Sequence, residues 1–181
     1  MTRNAEFIFA LIKKYYETWK RPLPGKKALQ KLAYFAQAEG APISFSFHLH
    51  KYGPYSPEME DVLADLRFFE KIEIRATGFD RETEIFPLSV GEEKFEYLSP
   101  EDLAVAEAVV SKYGEFSPQY LELLATVHLI ARDQWVFGNR HDREDIIATA
   151  WWTKKPKFSR DEVERAYEKL KELGALPGSR V

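Results

Sequence analysis

The sequence predicts a mainly helical α+β protein: a winged helix-turn-helix-like unit over residues 1–92, followed by a helical region over 93–181 packed on it. Three observations carry this reading. Apolar residues recur at helical spacing in seven separate stretches. The period drops to two between Ser44 and Lys51, and two short β-like runs flank Gly78. The order helix, helix, strand, helix, hairpin is that of a winged helix-turn-helix.

The first helix spans about 5–19, with Phe7, Ile8, Leu11, Ile12, Tyr15 and Trp19 on one face and Lys13, Lys14 and Glu17 on the other. Pro22-Leu23-Pro24-Gly25 ends it, because proline cannot continue the hydrogen-bond ladder. The second helix covers about 26–39, turning Leu29, Leu32, Ala33 and Ala36 inward, with Gly40 at its end. Phe45, Phe47 and Leu49 then alternate with Ser46, His48 and His50, as in a half-buried strand.

Lys51-Tyr52-Gly53-Pro54-Tyr55-Ser56-Pro57-Glu58 reads as a strand-to-helix corner, with Ser56 as N-cap and Pro57 in the first turn. Met59, Val62, Leu63, Leu66 and Phe69 mark the buried face of a third helix reaching about Lys71. Residues 72–76 and 82–88 form a hairpin. Ser99-Pro100 and Ser117-Pro118 open helices over about 100–112 and 118–133, and a shorter helix lies around 142–152. Ser159-Arg160-Asp161-Glu162 is a capping box leading into a last helix that ends at Gly174.

The composition excludes several chemistries. No cysteine is present among 181 residues, so disulfides, thiolate zinc sites and cysteine nucleophiles are ruled out. Thirteen Phe, nine Tyr and four Trp argue against a solvating, disordered chain. No apolar run approaches the roughly 20 residues that cross a bilayer and no leader pattern opens the chain, so a cytoplasmic location is expected. Two Asn and four Gln against 30% charged residues is the composition of a heat-adapted protein.

The net charge of −3 conceals an asymmetry. Residues 1–40 hold eight Lys/Arg against three Glu, a net of +5, whereas residues 57–96 hold five against twelve Asp/Glu, a net of −7. In a winged helix-turn-helix the third helix enters the major groove, where phosphates favour Lys and Arg. Here it carries Glu58, Glu60, Asp61, Asp65 and Glu70 against Arg67 and Lys71. The hairpin tip sets Arg75 and Arg81 against Glu73, Asp80, Glu82 and Glu84. Nucleic acid is therefore disfavoured there, and its alternative site is the basic pair of N-terminal helices, through Lys13, Lys14, Lys20, Arg21, Lys26, Lys27 and Lys31.

Lys31-Leu32-Ala33-Tyr34-Phe35-Ala36-Gln37, followed by Tyr52-Gly53-Pro54-Tyr55-Ser56-Pro57-Glu58, resembles the YwgA-like prokaryotic family, related to the Panacea (SocA-like) antitoxin domain. Leu121-Glu122-Leu123-Leu124-Ala125-Thr126 and Lys155-Pro156-Lys157-Phe158 resemble the C-terminal pattern of the YwgA-like side. The resemblance implies a winged-helix-like fold and, from the Panacea side, antitoxin or adaptor behaviour.

Function is expected from protein contacts. Tyr52 and Tyr55 flank Gly53-Pro54 and, with Tyr34, are the candidate partner-binding residues, because aromatics with a polar tip anchor interfaces. Trp135, Trp151 and Trp152 are either core or a self-association surface, and a homodimer is one arrangement that would use them. His48 and His50 share a strand face, as ligands do in metal sites, but no third ligand accompanies them. No serine elbow and no phosphate-cradling glycine loop occur. The expectation is a non-enzymatic interaction or regulatory protein, antitoxin- or adaptor-like, with an unidentified protein partner, no catalytic residues, no metal and no cofactor. The alternative is a DNA-binding transcription regulator using the basic N-terminal helices.

Overall fold

A computed structural model describes residues 1–78, 82–89, 91–138 and 140–178. The chain is mainly α with small antiparallel sheets. Its elements are α1 (Arg3–Trp19), α2 (Gly25–Ala38), β1 (His48–His50), β2 (Gly53–Tyr55), α3 (Glu58–Phe68), β3 (Ile72–Ala76), β4 (Thr83–Pro87), α4 (Pro100–Tyr113), α5 (Pro118–Gly138), α6 (Arg143–Lys154) and α7 (Arg160–Glu172).

Local chemistry accounts for most boundaries. Thr2 caps α1 by accepting from the Ala5 amide, and Lys20 closes it in a left-handed conformation. Ser99 and Ser159 form reciprocal capping boxes with Asp102 and Glu162, fixing where α4 and α7 begin. Asp142 caps α6 by accepting from the Asp145 amide.

The helices share one hydrophobic core. Helix α1 lies against α4, and α2 lies against α5 and α4. The rings of Phe35 and Tyr113 stack 4.1 Å apart at 8°, joining α2 to α4. Buried Glu6 accepts from the amides of Glu96 and Tyr97 at 3.0 and 2.8 Å, fastening the segment before α4 onto α1.

The sheets are two separate two-stranded hairpins, β1–β2 and β3–β4. In the second, Ile74 pairs with Ile85, and Ile85 also bridges to Leu23 ahead of α2. The hairpin tip residues Asp80 and Arg81 lie outside the described residues.

Three expectations change in this region. The strand foreseen over Ser44–Lys51 pairs only at His48–His50, with Gly53–Tyr55 as its partner. Upstream of it, Ile43, Phe45 and Phe47 keep the period-two burial without a pairing strand, while Leu49 is 45% exposed. Ser56 does not cap α3: its hydroxyl is buried with no hydrogen-bond partner, and Pro57 precedes the helix without a side-chain cap. Helix α3 also ends at Phe68, because Glu70 turns left-handed at φ 53°, which leaves Phe69 half exposed rather than inward.

Candidate anion cleft at the hairpin corner

Helix α2 presents a row of polar side chains to the corner and its neighbours, and each has a defined task. Gln30 donates to the Ser56 carbonyl at 2.8 Å and accepts from the Ser56 amide at 3.0 Å. Lys31 donates to the Pro54 carbonyl at 2.6 Å. One turn on, the Tyr34 hydroxyl meets Nδ1 of His128 on α5 at 2.7 Å. Gln37 clamps both backbone groups of Phe45, at 2.7 and 3.0 Å. The lysine, tyrosine and glutamine of the α2 motif therefore satisfy buried backbone and side-chain polar groups that would otherwise cost free energy.

Gly53 is where the corner meets α5. Its φ is +82°, and a Cβ there would come within 3.0 Å of Thr126 Oγ1 and 3.1 Å of the Glu122 carbonyl. Only glycine combines that conformation with that approach. The close contact brings the hairpin onto a buried charge cluster.

Glu122, fully buried on α5, lies 2.7 Å from Lys154 Nζ, 2.7 Å from Lys157 Nζ and 3.6 Å from Lys27 Nζ. Lys154, also buried, donates to the Lys51 carbonyl at 2.9 Å as well. Three ammonium groups thus surround one carboxylate, with the Lys31 amine nearby.

The electrostatics follow from that imbalance. Burial alone would raise the Glu122 carboxyl, but hydrogen bonds from Lys154 and Lys157 outweigh it and hold it below the usual carboxylate range. Burial lowers Lys31 to about 7 against the attraction of Glu122, with Lys154, Lys27 and Lys157 adding repulsion. Lys154 is lowered chiefly by burial, against the pull of Glu122. The cluster thus carries excess positive charge at neutral pH.

Lys27 and Lys31 of this cluster also line a cleft of about 330 Å³. Lys26, Lys27, Gln30 and Lys31 of α2, His50, Tyr52 and Tyr55 of the hairpin, and Glu60 of α3 line it. Tyr52, 42% exposed, gathers cations around its ring: Lys27 at 4.6 Å, Lys157 at 5.4 Å and Lys51 at 5.5 Å from the centroid. Lys26 at the rim pairs with Glu60 at 2.6 Å. Such a site attracts anions, and an aromatic ring beside converging lysines suits a phosphate attached to a flat group.

The residues singled out from the sequence divide around this cleft. Tyr52 and Tyr55 belong to it, whereas Tyr34 is buried and bonded to His128, so its place among surface-contact residues is corrected. Lys26, Lys27 and Lys31 converge on it. Lys13 pairs with Glu17 and donates to the Gly91 carbonyl, and Lys14 reaches both Glu17 and Glu107. Lys20 is the α1 C-cap, and the guanidinium of Arg21 lies 6.0 Å from the centroid of the Tyr15 ring. Lys13 and Lys14 are thus paired with carboxylates, whereas Lys26, Lys27 and Lys31 gather at the cleft.

His48 and His50 are both exposed, and His50 lines the cleft 5.4 Å from the Tyr55 ring. Among the described residues no three His, Asp or Glu side chains converge as metal ligands do. Trp151 is half-buried, while Trp135 and Trp152 are exposed, with Lys155 Nζ 2.9 Å above the Trp152 ring. Gln30, Glu122, Lys154 and Lys157 are the site residues that sequence reasoning missed. A charged Glu122 inside the apolar run of α5 was the available signal.

Fold and site together define a mainly helical α+β protein with a lysine-rich, tyrosine-lined cleft. No family model matches the chain. It is similar to the uncharacterised protein YwgA of Bacillus subtilis, 25% identical over 154 residues, covering 82% of this chain and 86% of YwgA. It is also similar to a DNA ADP-ribosyl glycohydrolase of Thermus aquaticus, 29% identical over 176 residues and 92% of this chain. Of that relative the chain spans about half the length, 47%. The expectation that the chain is not an enzyme is overturned by this second likeness, because the relative matched along nearly the whole chain is named for an enzymatic activity. Among the described residues no helix is long and apolar enough to cross a membrane.

Proposed function

We propose that this chain is a substrate-recognition unit of DNA ADP-ribosyl glycohydrolase chemistry, holding the phosphates of ADP-ribosylated DNA in the Tyr52 cleft. The observation that carries the reading is the excess of ammonium groups around Glu122, opening beside an exposed tyrosine. Ammonium groups held this close repel one another, and a bound anion would relieve that repulsion. The glycohydrolase relative supplies the chemical context, since both its substrate class and the product it is named for are rich in phosphate. A cytoplasmic setting suits work on DNA. The test is fluorescence anisotropy with an ADP-ribosylated oligonucleotide at low salt. Binding that falls at least about tenfold in a Lys27→Gln/Lys157→Gln variant is expected, and no binding by the native chain overturns the reading.

A second reading has its own observation. Helix α3 is acidic and ends in an adjacent, edge-to-face pair, Phe68 (81% exposed) and Phe69 (49% exposed). Under this reading residues 1–92 form the winged-helix-like unit, and the chain regulates a protein partner through α3 in the antitoxin or adaptor manner the Panacea resemblance implies. Phe68→Ser/Phe69→Ser would then abolish a complex that Lys27→Gln/Lys157→Gln leaves intact.

A further inference from the structure

The lysines at the Tyr52 ring, Lys27 of the cleft lining and Lys157 beside it, converge on one point rather than marking out a path. Lys27 and Lys157 reach the same Tyr52 ring from α2 and from the segment after α6, and both also reach Glu122. The two carboxylate oxygens are already engaged, one by Lys154 at 2.7 Å and one by Lys157 at 2.7 Å. Lys31 has no carboxylate of its own and donates to a carbonyl. A nucleic-acid backbone carries one charge per phosphate, spaced along the strand, and is matched by cations in a row. Ammonium groups packed around a single cleft instead match several charges on one small group.

We propose that the cleft selects a phosphate moiety with two charges close together, a phosphomonoester or a pyrophosphate, over the singly charged diesters of a DNA backbone. This rests on the reading of the cleft as a phosphate site and specifies what it would recognise: the phosphates of an attached or free nucleotide, not the strand carrying it. Size agrees, since about 330 Å³ lies at the small end of ligand sites and leaves no room for a duplex. Lysine suits the task as a compact point charge that binds phosphate without demanding a planar partner.

The test is calorimetric titration of the full chain at pH 7.5 and low salt with three probes: AMP, ADP and a dinucleoside monophosphate lacking terminal phosphates. AMP presents a monoester alone, and ADP a pyrophosphate that ends in a terminal phosphate. Either is expected to bind at least about tenfold more tightly than the diester, because each added charge meets the whole cluster at short range. The Lys27→Gln/Lys157→Gln variant alters side chains that are partly exposed, and so leaves the buried Lys154–Glu122 pair in place. It should lose most of the AMP and ADP binding while changing diester binding less than about threefold. Diester binding as tight as that of AMP and ADP overturns the selectivity while leaving the cleft a phosphate site. Unchanged AMP and ADP binding in the variant overturns the assignment to these lysines. No binding of any probe overturns both the selectivity and the phosphate reading.

Discussion

The ammonium of Lys154 lies 2.7 Å from the Glu122 carboxylate and 2.9 Å from the Lys51 carbonyl, so one buried cation ties α5, the end of α6 and the β1–β2 turn together. Removing its partner leaves uncompensated buried charge. Glu122→Gln is expected to cost about 3–5 kcal/mol in denaturant unfolding. Adding Lys154→Met should recover part of that loss, since an apolar replacement of a buried pair is often near neutral.

Gly53→Ala tests the seating of the corner. The left-handed φ and the contacts at 3.0 and 3.1 Å with Thr126 and Glu122 leave no room for a Cβ. A loss of about 1–3 kcal/mol is expected from the backbone alone, more if α5 has to shift. Unchanged thermal stability would show that the corner is not keyed to α5 as described.

Stability should fall on the acid side through His128. Burial is the main cause holding this imidazole at about 4 instead of 6.5, with Arg132 adding to it. The folded state therefore favours the neutral ring paired with the Tyr34 hydroxyl, while between pH 6.5 and 4 the unfolded chain binds a proton that the folded chain does not. The contribution is complete above pH 6.5 and is lost as pH drops through 4, a change of about 3 kcal/mol. His128→Gln should flatten this limb in urea titrations at stepped pH. Lys31, lowered to about 7, acts in the same direction higher up: the penalty of its buried charge is present below pH 7 and is relieved as pH rises from 7 towards 10.5.

The two sets of basic residues should behave differently. Lys13 and Lys14 are already paired with Glu17, and Lys14 also with Glu107, whereas Lys27 faces the cleft. Lys14→Gln should change affinity for an ADP-ribosylated oligonucleotide less than about twofold, while Lys27→Gln weakens it and lowers the salt dependence. Equal losses in both variants would restore the reading in which the N-terminal helices form one nucleic-acid face.

What the sequence made legible was whatever depends on near neighbours. Helical periodicity and the Ser99 and Ser159 capping boxes mark α4 and α7 because a cap and its amide lie three residues apart. Ser56 misled for the same reason: it has a capping residue's local context, but Gln30, 26 positions away, takes its backbone groups. The cleft was half visible. Tyr52, Tyr55, Lys26, Lys27 and Lys31 stand out by type, yet nothing local connects them to Glu122, Lys154 and Lys157. Those contacts span up to 103 residues and arise only when α5 and α6 pack behind the hairpin. Tyr34 was misplaced because a tyrosine's polar end serves a buried histidine as well as it serves a partner.

Binding of a phosphate-bearing ligand in the Tyr52 cleft is tested most directly by a heteronuclear NMR titration of the full chain with ADP. Shifts are expected to concentrate at the backbone amides of Lys51–Gly53 and at the Gln30 side-chain amide, with α1 and the Phe68–Phe69 end of α3 unmoved. Shifts at α1 or at Phe68–Phe69 instead, or none at saturating ADP, would contradict that placement.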